Sequence, residues 1–294
     1  MKPAPFAYFA PDSLEEALDR MAQAGSDGKV IAGGQSLIPA MNFRILQPSL
    51  LIDLNRLTDL EYIRPSNGDG LCIGAMTRQR RLERDPQVRD RAPLLYEATP
   101  FVAHPQIRNR GTLGGSLAHA DPAAELPAVI LALEGKIRAQ RAGGERWIEA
   151  ADFFQGMFAT ALAPDEIVTE VALPPPGERT GWAFTEMARR RGDYALAGVA
   201  VGLTLDARGG CSRARIVFLN AGDGPIVAEK AISVLVGQPA STAAFEAAAE
   251  EASAEIDPSG SLHASPQFQR HLARVLARRA LDRARERASR SHAG

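Results

Sequence analysis

Cysteine is scarce in this chain. Only two cysteines occur among the 294 residues, Cys72 and Cys211, and they lie far apart. Two isolated thiols cannot supply a disulfide framework, a zinc-ribbon quartet or the four thiolate ligands of an iron–sulfur cluster. The cysteine usage therefore indicates a reducing compartment.

Long apolar runs and an excess of charge of one sign are missing as well. No stretch approaches the roughly 18 apolar residues of a membrane-spanning helix, and residues 1–10 lack the continuous apolar core of a secretory signal. The 34 Lys and Arg residues balance 35 Asp and Glu residues, which gives no electrostatic reason to bind a polyanion. We therefore expect a soluble cytoplasmic protein that is not dedicated to nucleic acid.

The sequence motifs of several enzyme classes are also missing. No G-x-x-x-x-G-K-[ST] string or H-E-x-x-H string occurs, which argues against a P-loop phosphoryl-transfer enzyme and a first-row metal site. Gly68-Asp69-Gly70 begins like a dinucleotide-binding fingerprint, but Ile73 replaces the third glycine, so a hairpin turn is the better interpretation. Ser116 stands in a string close to G-x-S-x-A, yet no apolar strand precedes it as a nucleophile elbow requires.

The apolar periodicity divides the chain into two parts. In the first part, short β-type runs alternate with short helices, beginning with a helix whose capping box is Ser13 and Glu16. The string Pro174-Pro175-Pro176-Gly177 disfavours helix and sheet pairing, because three successive residues lack an N–H group. We place the domain boundary there, which gives a first domain at 1–176 and a second at 177–294.

The second part predicts strands followed by helices. Three β-rich runs, at 182–187, 196–205 and 214–219, fit an antiparallel meander. The last helix is rich in arginine and is expected to fray beyond Arg283, where its apolar stripe ends. Its charged face is either solvated or a docking surface for an acidic partner subunit. Taken together, the pattern indicates an α+β protein.

Two glycine-rich loops are the most informative segments of the first part. They read AGGQSLIP at 32–39 and GTLGGSLAHADP at 111–122. Paired glycines accept positive φ angles and carry no Cβ, so successive N–H groups can converge on anionic oxygens such as those of a pyrophosphate. Each Gly-Gly pair taken alone is better explained as an ordinary turn. Two such loops in one domain suggest a long dinucleotide that is held at two places.

Polar side chains accompany these glycines. Ser36, Thr112 and Ser116 add hydroxyl groups suited to phosphate oxygens. Asp121 and Glu125 could instead accept hydrogen bonds from sugar or ribityl hydroxyls.

The two loop strings closely resemble the FAD-binding signatures of the flavoprotein (medium) subunit of the molybdenum hydroxylases. That family includes the medium chain of carbon monoxide dehydrogenase and the FAD domain of xanthine dehydrogenase. Gly192-Asp193-Tyr194-Ala195 resembles a third segment of the family, which places a residue beside the isoalloxazine ring. The resemblance runs from Met1 to about Ala288 and includes the proline-rich boundary and the order of elements.

The resemblance implies a fold and a set of cofactor-binding residues. The fold would be a vanillyl-alcohol-oxidase-type FAD-binding domain of two subdomains, about 1–57 and 58–176, followed by a smaller α+β domain with an antiparallel sheet and helices. Tyr194 would lie over the flavin, and Ile167 would pack against the adenine or the flavin. The cofactor-binding residues implied by the resemblance are Ala32, Gly33, Gly34, Gln35, Ser36, Leu37, Thr112, Leu113, Gly114, Gly115, Ser116, Asp121, Glu125, Ile167 and Tyr194. No catalytic residue and no metal ligand is predicted in this chain.

Two of these positions depart from the family pattern. Ser116 stands where many members have Asn, and Glu125 where many have Asp. Both residues can still form hydrogen bonds, so the expectation of FAD stands, although the individual contacts can differ.

The resemblance also implies a division of labour between subunits. A large subunit with a molybdopterin cofactor would hydroxylate the substrate, and a small subunit with two [2Fe–2S] clusters would pass the electrons to the FAD of this chain. The cysteine count agrees, since two isolated thiols cannot hold even one such cluster. The expected assembly is a dimer of heterotrimers, that is, a heterohexamer.

Two other functions are compatible with the same fold. One is a self-sufficient flavin oxidase, and the other is an assembly module without a cofactor. The substrate of the complex could be carbon monoxide, an aldehyde, a purine or another N-heterocycle. The acceptor could be oxygen, a quinone, a cytochrome or NAD.

Overall fold

The computed structural model describes residues 1–66 and 68–290, so the last four residues of the predicted second domain lie outside the described residues. Within these two ranges, no helix is both long enough and apolar enough to cross a membrane. Helices and strands are mixed along the described chain, as the α+β prediction requires.

Fourteen strands and twelve α-helices are assigned within the described ranges. The strands are β1 (Ala7–Phe9), β2 (Gly28–Ile31), β3 (Leu50–Asp53), β4 (Ile63–Pro65), β5 (Leu71–Gly74), β6 (Lys136–Arg141), β7 (Gly144–Glu149), β8 (Phe154–Gly156), β9 (Ala159–Thr160), β10 (Ile167–Leu173), β11 (Thr180–Ala188), β12 (Ala195–Leu205), β13 (Cys211–Leu219) and β14 (Ile226–Val227). The helices are α1 (Leu14–Ala24), α2 (Leu37–Asn42), α3 (Gln79–Leu82), α4 (Pro86–Arg91), α5 (Pro93–Ala98), α6 (Pro105–Arg108), α7 (Leu113–His119), α8 (Glu125–Ala132), α9 (Ala150–Phe153), α10 (Glu229–Leu235), α11 (Thr242–Glu255) and α12 (Pro266–Arg290).

The first sheet is a small parallel one with the strand order β1-β3-β2. Helix α1 packs beside it and buries Ala17, Leu18 and Met21. The helix starts where the sequence predicts, because the Ser13 hydroxyl accepts a hydrogen bond from the Glu16 N–H at 3.1 Å. Helix α2 connects β2 to β3, as parallel neighbours require a crossover.

The second sheet is antiparallel and has the order β4-β5-β10-β6-β7. Strands β4 and β5 form a hairpin in which the Ser66 N–H donates to the Gly70 carbonyl at 3.0 Å. The segment Gly68–Gly70 is therefore the turn region that the sequence predicts, not a dinucleotide fingerprint. Helices α7 and α8 lie against this part of the molecule and connect it to the third sheet.

The third sheet has the order β11-β12-β13-β14, and its first three strands are the predicted antiparallel meander. One face packs on α12, and the other face packs on α5 and α8 of the first part. Phe184, Val217 and Leu219 consequently join the core cluster that contains α8. The two parts of the chain share this core.

The expectation that the C-terminal helix frays beyond Arg283 is wrong. Helix α12 continues to Arg290, and Ala284 and Ala288 are completely buried. A Cβ on Gly181 would lie 1.8 Å from the Ala284 carbonyl oxygen, so the helix backbone rests directly on β11. The last turns are held by the close approach of small residues, which a search for large apolar side chains does not detect.

Most arginines of α12 that were candidates for a docking face have acidic partners in this chain. Arg270 pairs with Asp257 at 2.9 Å, and Arg274 pairs with Glu250 at 2.8 Å. Arg287 contacts the Glu97 carboxylate. These internal pairs favour the interpretation of a solvated, self-paired helix face.

Candidate functional site

The first glycine-rich loop connects the end of β2 to the start of α2. Gly34 has a φ angle of +72°, a conformation that favours glycine. The loop is closed by hydrogen bonds from the Ile38 N–H to the Gly34 carbonyl at 3.1 Å and from the Gln35 amide to the Gly33 carbonyl at 2.9 Å. The residues are partly exposed, so the loop is open to a ligand.

The backbone donors of this loop are available. Among the described residues, no acceptor binds the five successive N–H groups of residues 33–37. Backbone N–H groups normally find a partner in the folded chain or in water. Successive unpaired N–H groups next to a glycine with positive φ form an anion-binding concavity.

The second loop differs in this respect. The Leu113 N–H donates to the Thr77 carbonyl at 3.0 Å, and the Gly114 N–H donates to the Ala75 carbonyl at 2.9 Å. The Gly115 N–H donates to the Thr112 hydroxyl at 3.1 Å, which caps α7. These N–H groups are already hydrogen-bonded within the chain. The second loop therefore presents a rigid backbone and hydroxyl groups to a ligand, and not a row of free N–H groups.

The two loops lie directly against each other. A Cβ on Gly33 would lie 2.4 Å from the Arg110 carbonyl oxygen. A Cβ on Gly115 would lie 2.8 Å from the Thr112 hydroxyl oxygen and 3.5 Å from the Ala32 Cβ. Gly33 is needed for this close approach, whereas a Cβ on Gly115 would meet the first loop at an ordinary contact distance. The structure therefore brings the two predicted segments together.

Sequence reasoning missed the side chains that connect the loops. The Asn55 amide donates to the Ala32 carbonyl at 2.8 Å, and its oxygen accepts from the Arg78 guanidinium at 2.7 Å. Arg78 also donates to the Arg110 carbonyl, directly before the second loop. Burial lowers the pKa of Arg78, as does the nearby charge of Arg110. Asn55 also contacts Asp53, which orients its amide.

A sequence signal for Asn55 did exist. Strands β2 and β3 are parallel, and Ile31 pairs with Asp53 at their carboxyl ends. The carboxyl ends of parallel neighbours lie at the same sheet edge, so a polar residue just after β3 must lie beside the loop that follows β2.

A second group of predicted residues gathers between the two parts of the chain. Asp121 follows α7 and accepts a hydrogen bond from the Ala123 N–H at 2.9 Å. Glu125 begins α8 and is buried. Burial raises the pKa of Glu125 to about 7, and the Asp121 charge adds to this effect.

Tyr194 lies on the turn between β11 and β12 and is 69% exposed. Desolvation raises the pKa of its hydroxyl, and the carboxylates of Asp121 and Glu125 raise it further. Tyr194 therefore lies near these two acids, and most of its surface is exposed. The three predicted residues form one group.

His119 lies next to this group. Its ring contacts Phe158 at a centroid distance of 5.1 Å, and the Phe158 N–H donates to the Ala120 carbonyl at 3.1 Å. Burial lowers the pKa of His119, which favours the neutral imidazole at pH 7. Phe158 is 55% exposed at the tip of the β8–β9 hairpin.

The remaining predicted residues lie around the first loop. Ile167 is the first residue of β10 and is buried in a core cluster that the partly buried Ala32 borders. Ser36 is exposed before α2, and Leu37 is the half-buried first residue of that helix. Among the described residues, no group of three or more His, Cys, Asp or Glu side chains could hold a metal ion.

Family models match both parts of the chain. Residues 4–176 match the FAD binding domain in molybdopterin dehydrogenase, and residues 182–284 match the CO dehydrogenase flavoprotein C-terminal domain. The chain belongs to the flavoprotein subunits of the molybdenum hydroxylases. The predicted family, the oxidoreductase assignment and FAD as the cofactor are thereby confirmed.

Individual members of this flavoprotein family are similar over nearly the full chain. The 6-hydroxypseudooxynicotine dehydrogenase complex subunit alpha of Paenarthrobacter nicotinovorans is 44% identical over 288 residues, which cover 98% of this chain and 97% of that protein. A chain of the carbon monoxide dehydrogenase of Hydrogenophaga pseudoflava superposes with a TM-score of 0.94 at 39% identity and covers 98% of this chain and 99% of its own. A chain of the quinoline 2-oxidoreductase of Pseudomonas putida 86 superposes with a TM-score of 0.93 at 38% identity and covers 98% and 99%. The predicted fold is confirmed by these matches.

Proposed function

We propose that this chain is the FAD-carrying electron-transfer subunit of a heterotrimeric, cytoplasmic molybdenum hydroxylase. It accepts electrons from the [2Fe–2S] clusters of a small partner subunit and passes them to an external acceptor. Substrate hydroxylation takes place in a large molybdopterin-binding subunit. The observation that carries the proposal is the row of unpaired N–H groups at residues 33–37, next to the wall formed by the second loop.

The residues present fit the dinucleotide. The N–H groups of the first loop would hold the pyrophosphate, and the segment Thr112–Ser116 would close the cleft from the other side. Asp121 and Glu125 would bind ribityl or ribose hydroxyls, and the open ring of Tyr194 would cover the flavin. Ile167 would support the cofactor from beneath the first loop. The division into an FAD-binding domain at 1–176 and a C-terminal domain at 177–294 belongs to the same proposal.

The bound flavin supplies the redox chemistry, and the chain supplies binding, orientation and electrostatics. Asn55 and Arg78 fix the distance between the two loops, because Asn55 donates to a carbonyl group of the first loop and Arg78 to the carbonyl group directly before the second. The neutral His119 and the aromatic ring of Phe158 border the group of Asp121, Glu125 and Tyr194. They would limit the access of water on that side.

The separation and the protonation of the two cysteines support the proposal that the iron–sulfur clusters are bound by a partner subunit. Cys72 lies on β5 and Cys211 lies on β13, in different sheets. Burial raises the pKa of both thiols, that of Cys211 to about 11. A protonated, isolated thiol is a poor metal ligand, because the thiolate is the form that binds metals. The names of the relatives also support an assembly, since one is the alpha subunit of a complex, and the proposed assembly is a dimer of heterotrimers.

Purification of the intact complex tests this proposal. We expect a tag on this chain to recover two further subunits, of which one carries two [2Fe–2S] clusters and the other carries molybdopterin. In that complex, substrate should reduce the FAD, whereas the isolated chain should bind FAD and turn over no substrate. Turnover by the isolated chain would instead show a self-sufficient oxidase. A flavin-free chain within the native complex would show an assembly module.

A further inference from the structure

Glu186 lies on the face of the third sheet that is turned toward the first part of the chain. Trp182, Phe184 and Glu186 alternate along β11, and Phe184 belongs to the core cluster that contains α8. Thr185 points to the other face, where its hydroxyl lies 3.4 Å from the Leu276 carbonyl of α12. One carboxylate oxygen of Glu186 is buried and has no hydrogen-bond partner. A buried polar atom without a partner is uncommon and calls for a functional explanation.

The strand register relates Glu186 to the segment that precedes α8, and a Cβ on Gly198 would lie 3.0 Å from the Glu186 Cβ and 2.7 Å from a methyl group of Leu219. Glu186 pairs with Gly198 on β12, and Gly198 pairs with Leu219 on β13. The next residue, Asn220, donates its N–H to the Pro122 carbonyl at 2.7 Å, three positions before Glu125. Gly198, which lies between Glu186 and Leu219, has no side chain that could separate them.

The two glutamates have no cationic partner. Neither Glu125 nor Glu186 forms an ion pair among the described residues. Arg108 of α6 is the cation whose charge lowers the pKa of Glu125. However, Arg108 already binds the Glu83 carboxylate at 2.7 Å and the Val102 carbonyl at 2.8 Å.

Apart from Arg108, the titratable groups near Glu125 are acids. Asp121, just before α8, acts on Glu125, and the Tyr194 hydroxyl is on the same side. On β12 the residue opposite Glu186 is the uncharged Gly198. Burial raises the pKa of Glu186 to about 8, and the Glu125 carboxylate contributes to this increase. Two close carboxyl groups in such surroundings cannot both ionise freely.

We propose that Glu125 and Glu186 form a carboxyl pair that retains a proton at neutral pH and takes up a further proton when the neighbouring flavin is reduced. The second half of this statement rests on the proposed function, because it requires FAD beside Glu125. Electrons added to the ring increase the negative charge near the pair, and negative charge raises the proton affinity of an acid. The proton comes from solvent and forms an O–H bond on the ionised carboxylate. The electrons stay on the flavin and come from the partner's iron–sulfur clusters or, in vitro, from dithionite.

The first claim, that the pair retains a proton at neutral pH, can be tested without flavin. The FAD-free full chain is unfolded with urea between pH 4.5 and 9 as wild type, E186Q and E178Q. Glu178 is an exposed residue just before β11 and serves as the matched control. An acid whose pKa is higher in the folded state loses native-state stabilisation as the pH rises from its unfolded pKa through its folded pKa. We therefore expect E186Q to become more stable than wild type as the pH rises toward 9, and E178Q to follow wild type.

A stability difference between E186Q and wild type that is constant from pH 4.5 to 9 would overturn the proposal, because no proton would be retained. If E186Q does not fold, E125Q provides the same measurement. It should show the same gain in stability with rising pH, centred near pH 7.

The second claim, that the pair takes up a proton when the flavin is reduced, is tested by spectroelectrochemical titration of the FAD-loaded chain at several pH values from 6 to 9. Wild type and E178Q should take up more protons per two electrons than the double variant E125Q/E186Q, which has no carboxyl group left in the pair, with a difference that approaches one. Equal proton uptake in all three proteins would overturn the proposal while leaving the FAD subunit assignment intact. A chain that binds no FAD would contradict the proposed function instead, and the urea experiment would still decide whether the pair holds its proton.

Discussion

Gly33 and Gly34 are neighbours that are required for different reasons. Gly33 lets the second loop approach, because a Cβ there would lie 2.4 Å from the Arg110 carbonyl. Gly34 adopts a φ angle of +72°, which orients the N–H groups that follow it. The conformational requirement is therefore at Gly34 and the packing requirement at Gly33, a distinction that the Gly-Gly string does not reveal.

A matched pair of glycine substitutions tests the role of Gly34. G34A and G143A both place a side chain at a glycine with positive φ, +72° and +76°, and each should cost about 1 kcal/mol of stability. Gly143 lies between β6 and β7 with open space around it. We expect G34A to lower FAD affinity at least tenfold, measured by fluorescence titration of the FAD-free chain, and G143A to leave it unchanged. Equal FAD affinities in the two variants would contradict the role of the first loop.

The two loops could be predicted from the sequence as anion-binding segments because glycine content and order are local properties. Asn55 could also have been predicted from the parallel order of β2 and β3. Glu186 could not, because the burial of its carboxyl group depends on how the third sheet packs on the first part. No local pattern around residue 186 encodes that contact.

At the scale of elements, the strand runs were predicted more accurately than the end of the last helix. The predicted runs at 182–187, 196–205 and 214–219 lie within β11, β12 and β13. Helix α12 was expected to fray beyond Arg283 because only large apolar side chains were counted as its stripe. Alanines opposite a glycine bury a helix equally well, since they allow the backbones to touch.

The contact between α12 and β11 predicts a strong effect of a single methyl group. In G181A, the new Cβ would lie 1.8 Å from the Ala284 carbonyl oxygen, so the helix must shift. We expect a loss of about 2–3 kcal/mol or more in the free energy of unfolding, as for other overpacked sites. In G144A the added Cβ meets no atom within 4 Å, and a change within about 0.5 kcal/mol is expected. Urea unfolding of both variants provides the comparison, and similar midpoints would refute this packing argument.

At the scale of the whole molecule, the two parts are joined by a shared core and by ion pairs. Glu134, just after α8, contacts Arg213 and Arg215 of β13, and Arg287 of α12 contacts Glu97 of α5. The arrangement fixes Tyr194 on the second part relative to Asp121 and Glu125 on the first. The proposed site for a flavin ring would therefore be built from both parts, while the loops that suit its pyrophosphate belong to the first part alone.

The near-neutral charge of the chain agrees with this way of binding an anion. A net charge of −1 provides no general attraction for a dinucleotide, so under the proposed function the affinity would come from oriented N–H groups at one place. The sequence could indicate this from its glycine loops. The unpaired state of the N–H groups at residues 33–37 became visible only with the hydrogen bonds of the folded chain.

The most direct test of the central claim is the identity and stoichiometry of the flavin released from the purified full-length chain. The protein is denatured, and the released flavin is separated, identified by mass and quantified against the protein concentration. The account predicts FAD at about one molecule per chain. Release of FMN, or a colourless chain that binds no added FAD, would contradict it.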